Sequence, residues 1–269
     1  MSSANAEPRY GPSLLQQVWH YRWQIWVDFR KDLIAQYRET FGRTFWLLFL
    51  PVVPLSVYLL LSAMGVFTTR GGMNGLVYIS VGATLWYLFS GFVTQGMSAF
   101  ASKGRVAVRA SYPLIAATAS SYGLQIFDFI MRVIFCAVVL SFVEPPNWRG
   151  LLYLAPFLLP PILLFFGIGL IFAVFSTAIH DLQKLIPLFL QYAFFLSLVL
   201  FPLPDVGLIH QALRFNPFAV FIDNARHLLL HGTLSDPLAY AVWSILGVGV
   251  FLWALRFFKV AQLRVAEHL

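Results

Sequence analysis

"FASKGRVAVRASYPL", residues 100–114, places Lys103, Arg105 and Arg109 within seven positions, and the next acidic residue is Asp128. The flanks of this cationic island decide the fold. Residues 76–98 and 118–142 are apolar, and each is long enough to cross a bilayer as a helix, which takes roughly 20 residues. The whole chain of 269 residues repeats the pattern: 59% hydrophobic, 11% charged, mean hydropathy +0.77. A water-soluble domain carries about a quarter charged residues, so this chain lacks the polar surface to coat itself in water. The expected fold is an all-α polytopic membrane protein.

Six spans are expected, at about 44–68, 76–98, 118–142, 151–178, 185–203 and 238–258. An even number puts both termini on one side. That side would hold thirteen Lys and Arg residues, from Arg9 through Lys103, Arg105, Arg109 and Lys184 to Arg264. The other side would hold Arg70, Arg149, Arg214 and Arg226. Basic loops stay cytoplasmic, so the termini and the island are expected in the cytoplasm. The same reading accounts for the net charge of +7 without nucleic acid, because the basic residues lie between apolar segments. Residues 1–13 are polar, so no cleavable signal is expected and the first span would serve as its own insertion signal.

Topology explains the island's charge but not its shape. Ala101–Ala110 reads as a short helix stopped near Tyr112-Pro113, since a proline disfavours helix at the residue before it. Two readings fit: a positive-inside loop, or a cationic knob for a soluble partner. Residues 14–37 are too charged to span. Trp19, Trp23 and Trp26 sit there among basic residues, as expected of a helix lying in the membrane interface; packing on a partner is the alternative. Between spans five and six, Leu208–Phe215 and Phe218–Leu230 are each too short to cross. Asn216-Pro217 starts the second as N-cap and first-turn proline, and Gly232 ends it. A re-entrant outer hairpin over 204–236 is expected, with Arg214, Asp223, Asn224, Arg226 and His227 as its polar groups. It would line a cavity or simply cap the outer side.

Enzymatic and metal signatures are missing. The single cysteine, Cys136, excludes an internal disulfide and a Cys-based zinc site. His227 and His231 share a helix face, yet no H-E-x-x-H pattern or third ligand accompanies them. No phosphate-binding G-x-x-x-x-G-K-[ST] loop exists. Asp128 and Arg132, four apart in span three, can pair on one face. An intramembrane charge costs on the order of 3 kcal/mol, so they either form a structural ion pair or line a polar path.

Four stretches then carry a resemblance: "DLIAQYRETFGRTFWLLFLP" (32–51), "GRVAVRASYPLIAA" (104–117), "IHDLQKLIPLFLQYAFFLSLVLFPL" (179–203) and "NPFAVFIDNARHLLLHG" (216–232). In this order and spacing the chain resembles the membrane subunit of type-2 ABC exporters, in the branch that exports O antigens, capsules and teichoic acids. Gly42 departs from the family's pattern by lying four residues before Trp46 rather than three.

The resemblance implies a homodimer joined to two separate ABC ATPase subunits, which would bind the ATP and magnesium. The polar tail at 1–13 is not something the family requires; beyond it the expected organisation is an interfacial helix region at 14–43 and a six-span domain at 44–269, and the resemblance places the chain in the bacterial inner membrane. Residues 101–112 would be the coupling helix, with Lys103, Arg105, Arg109, Tyr112 and Pro113 meeting an ATPase cleft. His180, Asp181 and Lys184 would form a second contact. Arg214, Asn216, Pro217, Asp223, Arg226 and His227 would belong to the outer gate. A lipid-linked polysaccharide would pass along a path for which Phe45, Trp46, Tyr58, Trp86, Tyr87, Asp128 and Arg132 are candidates. The rival cargo is a drug, lipid or other small amphiphile. Rivals from other classes are an integral membrane enzyme acting on lipid-linked sugars, which would need acidic or His residues clustered at one interface, and a passive channel.

Overall fold

The computed structural model describes residues 14–37, 72–109, 113–202 and 213–265, with four residue pairs between 52 and 65. The first expected span, with Phe45, Trp46 and Tyr58, therefore lies mostly outside the described residues, as do Tyr112 and residues 203–212 of the hairpin's first arm. The described residues are helical: α1 (Leu14–His20), α2 (Arg22–Tyr37), α3 (Gly75–Arg109), α4 (Leu114–Val143), α5 (Trp148–Ala178), α6 (Leu182–Ala193), α7 (Pro217–His231) and α8 (Pro237–Val265). Among the described residues four segments are long and apolar enough to cross a membrane: Gly75–Ala99, Leu114–Val143, Trp148–Ala178 and Pro237–Ala261.

Ring contacts set the directions of the long helices. Phe89 stacks on Phe165 and Phe92 meets Phe166, so α3 and α5 run parallel. Phe157 stacks on Tyr240 and Phe175 on Phe257, so α8 runs parallel to both. Tyr122 stacks on Phe92 while Gln125 Nε2 donates to the Tyr87 carbonyl at 2.6 Å, so α4 is antiparallel. Lys103, the His180 turn and the end of α8 consequently share one end of the bundle. Tyr78, Asn147, α7 and Asp236 share the other.

The central helix is α3, whose side chains at Ile79, Ala83, Leu88 and Phe89 are fully buried. Its approach to α5 is glycine-limited: a Cβ on Gly169 would meet the Phe92 carbonyl oxygen at 2.3 Å. Helix α5 stays unbroken through Pro156, Pro160 and Pro161. Pro161 has no N–H for the Phe157 carbonyl, and the Tyr240 hydroxyl of α8 donates to that oxygen at 3.0 Å instead. Neighbouring side chains resupply bonds lost to proline within a membrane in this way.

Two expectations change, at residues 101–110 and 185–203. The helix expected over 101–110 is not a separate knob but the last turns of α3, which runs 35 residues from Gly75 to Arg109 without a break. No proline stands between Phe100 and Arg109 and Gly104 alone does not end the helix, which runs to Arg109; Pro113 then takes extended backbone (φ −61°, ψ 132°) ahead of α4. The fifth span, expected as one helix over 185–203, is helical only to Ala193 and proceeds through turns to Phe201. Leu198 there takes a positive φ of 56°. The helix over 14–37 packs its Val18, Tyr21 and Ile25 side against the core, and Phe29 abuts Gly123 of α4. Trp19, Trp23 and Trp26 face outward, with Trp23 75% exposed.

Replacing Gly169 with leucine should force α3 and α5 apart. The expected loss is about 3 kcal/mol or more, read as a lower thermal midpoint of the detergent-purified protein; an unchanged midpoint would refute the glycine-limited crossing.

Candidate functional site

The break after Ala193 leaves backbone carbonyls without helical partners at the end of the bundle opposite Lys103. Such groups away from water each cost energy unless paired. Arg226 of α7 supplies the pairing. It is 1% exposed, and its Nε donates to the Tyr78 carbonyl at 3.0 Å, Nη1 to Leu198 at 2.7 Å and Nη2 to Val199 at 3.2 Å. Its guanidinium carbon stands 3.5 Å from the centroid of the Tyr78 ring, adding a cation–π contact. The Tyr78 hydroxyl reaches the Leu198 and Phe201 carbonyls, both at 3.0 Å. Space for the guanidinium exists because residue 82 is glycine: a Cβ there would lie 1.9 Å from Nη2.

Asn216 does two tasks at once. Its Oδ1 accepts the Phe218 N–H at 3.0 Å, capping α7, while its Nδ2 donates to the Leu196 carbonyl at 2.7 Å. Pro217 occupies the first helical position and Gly232 closes the helix with φ 71°, matching the sequence pattern. The far end of α7 is also tied down. Asn147 donates its N–H to the Leu229 carbonyl at 2.7 Å, and a Cβ on Gly150 would strike the Leu228 carbonyl oxygen at 2.0 Å.

After α7 the chain folds back. Ser235 donates to Asp223, Asn224 Oδ1 accepts the Asp236 N–H, and Asp236 Oδ1 accepts the Ala239 N–H that opens α8. Arg214 Nη2 donates to Asp236 Oδ2 at 2.7 Å. The Ala239 N–H, followed by the Arg214 hydrogen bond, holds the Asp236 carboxyl below its ordinary range. With the folded-state value depressed, this stabilisation is complete above the unfolded carboxylate pKa of about 4 and is lost as pH falls through the lower folded value. His227 and His231 lie side by side with ring centroids 5.4 Å apart. Among the described residues no group of three potential ligands could hold a metal.

At the opposite end, Lys103 is an internal tie rather than a free cation. Its Nζ makes an ion pair with Asp32 of α2 and donates to Ser120 Oγ of α4 at 2.7 Å. Three helices meet at this one ammonium. Arg105 and Arg109 lie on the last turns of α3, with side chains outside the described residues. Pro113 caps α4, and the exposed His180, Asp181 and Lys184 form the α5–α6 turn at the same end. Sequence reasoning missed Asp32 as the partner of Lys103; both are ordinary surface types, and 71 positions separate them.

Of the path candidates, Trp86 is buried, packed against Phe194 and Phe218, so within this chain it is core. Asp128 and Arg132 do not form an ion pair with each other. The Arg132 guanidinium instead lies 4.7 Å above the Tyr87 ring of α3, which brings two candidates together across a helix contact. Exposed Phe189, Tyr192 and Phe195 on and just after α6 were not singled out in the sequence. With 27 phenylalanines in the chain, only their shared exposure distinguishes them.

A profile of the family described as "ABC-2 type transporter" matches residues 23–230. The chain is 24% identical over 247 residues to the O-antigen export system permease protein RfbA of Myxococcus xanthus, covering 90% of this chain and 93% of that one. It is 32% identical over 76 residues to the polysialic acid transport protein KpsM of Escherichia coli, covering 28% and 30% of the two chains.

Removing the guanidinium by Arg226→Met should lower stability by on the order of 3 kcal/mol or more, because three carbonyls lose a charged donor. Arg226→Lys should restore only part of it, since an ammonium lacks the planar fork. Thermal midpoints in detergent check both; a lysine variant equal to wild type would show that the fork is not what holds this region. Asn216→Asp should keep the α7 cap and lose about 1 kcal/mol with the Nδ2 donor, measured the same way.

Proposed function

The chain belongs to the ABC-2 type transporter family, and from that premise we propose that it is the membrane subunit of an ATP-driven exporter of a lipid-linked polysaccharide. The observation that carries the cargo is the end-to-end likeness to an O-antigen export permease, with 90% and 93% of the two chains aligned. A second polymer transporter matches over a shorter stretch.

In this reading the chain crosses the inner membrane six times, with both termini in the cytoplasm. The fifth crossing is α6 and the turns that follow it. The parallel run of α3, α5 and α8 against α4 fits this plan, and so does the basic excess at the Lys103 end. Two copies form the conduit and two ATPase subunits drive it; ATP and magnesium belong to those subunits. The last turns of α3, with Arg105 and Arg109, dock on the ATPase beside the His180–Lys184 turn. Lys103 has a different role, holding α2 and α4 to that docking end through Asp32 and Ser120.

At the outer end, α7 and the segment before it form the gate, and residues 204–236 dip into the outer leaflet without crossing it. The exposed rings of Phe189, Tyr192 and Phe195 offer a sugar polymer a surface to slide along. Aromatic faces attract the C–H hydrogens of pyranose rings, which carry partial positive charge.

Affinity purification of the tagged chain in mild detergent tests the assembly. Wild type should retain a stoichiometric ABC ATPase, and a double Arg105→Glu, Arg109→Glu variant should lose it. Capture of no ATPase even after crosslinking in membranes would overturn the exporter. Gene deletion should abolish one surface polysaccharide; loss of drug or lipid efflux with intact polymer would transfer the assignment to a small amphiphile.

A further inference from the structure

Beside the outer gate lies an open cleft of about 620 Å³ lined by Arg214, Phe215, Asp236, Leu238, Val242 and Trp243, among others. Its size falls within the roughly 300–1,000 Å³ of small-molecule sites. Asp236, Ala239 and Trp243 follow helical spacing, so the first two turns of α8 form one wall. Arg214 and Phe215, just ahead of α7, form the other. The polar floor is the Arg214–Asp236 ion pair, and the apolar part includes Phe215, whose ring is 77% exposed.

We propose that this cleft is an exit subsite for one or two sugar residues of the exported polymer. The inference rests on the export reading above and adds a site to it. The charge balance selects the ligand class. An anionic headgroup needs uncompensated positive charge, but here the Asp236 carboxylate neutralises Arg214 and would repel a phosphate. A sugar hydroxyl both donates and accepts, so it can bond the guanidinium and the carboxylate together. Among the described residues Arg214 spends one N–H on Asp236, leaving other donors of its five for hydroxyls. Trp243 and Phe215 supply ring faces against which the apolar face of a pyranose packs. Asp236 is held in place by its Ala239 bond, so the floor is pre-organised and a ligand need not order it.

The site sits where a polymer would leave. Arg214 immediately precedes the Asn216 cap of α7, and Asp236 begins α8, so the cleft bridges the two ends of the gate segment.

The test places the photoreactive residue p-benzoylphenylalanine at Leu238, which is 76% exposed on the cleft wall. Cells making the surface polymer are irradiated and the purified permease is stained for glycan. The expected result is a sugar-bearing ladder on the permease band that depends on light and on polymer synthesis. In a Trp243→Ala background the ladder should weaken about fivefold per inserted permease, and Trp243→Tyr should restore it. Adducts carrying phospholipid alone, or none, overturn the subsite. If deletion of the gene abolishes the polymer and no sugar-bearing adduct forms, only the subsite falls. If deletion leaves every surface polymer intact, the export reading falls and takes the subsite with it.

Discussion

Backbone carbonyls cannot be left unpaired inside a membrane, and the end of this bundle opposite Lys103 is arranged around that constraint. The chain leaves helix α6 at Ala193, keeps turn hydrogen bonds to Ser197, and reaches Phe201 without helical pairing of the carbonyls beyond. Arg226, Tyr78 and Asn216 pair the carbonyls of Leu196, Leu198, Val199 and Phe201 from three directions. Each is a side chain on or immediately before a helix. Helix α7, the start of α3 and the broken segment are therefore held as one unit, and Gly82 is glycine because the guanidinium occupies the space of its side chain.

The same helix bears on both ends. Helix α3 begins beside the Arg226 site and ends with the cationic residues, a length of about 52 Å for its 35 residues. A continuous helix is stiff, so force applied near Arg109 acts on the Tyr78 end without a hinge between them. The tie of Lys103 to Asp32 and Ser120 adds α2 and α4 to the C-terminal end of this rod. One unbroken helix links the two ends of the bundle more stiffly than a separate short helix after a turn would.

Polar residues at membrane depth divide by partner rather than by position. Arg226 meets carbonyls and an aromatic face, whereas Arg132 rests over Tyr87. Asp128 sits four residues from Arg132 without a close ion pair, and the guanidinium lies over the Tyr87 ring of a neighbouring helix. Spacing along one helix tells which side chains can meet; packing between helices decides which do.

The sequence by itself determined what depends on composition and local order. Apolar length settled the membrane class and the helices at Gly75–Ala99, Leu114–Val143, Trp148–Ala178 and Pro237–Ala261. Asn216-Pro217 and Gly232 marked both ends of α7, because caps act over three or four residues. The order of four motifs pointed to the family that residues 23–230 match. Only the tertiary structure decided what depends on partners far along the chain. It joined Asp32 to Lys103, placed Trp86 in the core, and broke the helix expected over 185–203, whose carbonyls have a donor 27 residues away. Hydropathy cannot anticipate that break: apolar side chains favour a helix through Phe201, and the alternative becomes stable only when a buried arginine replaces the helical hydrogen bonds.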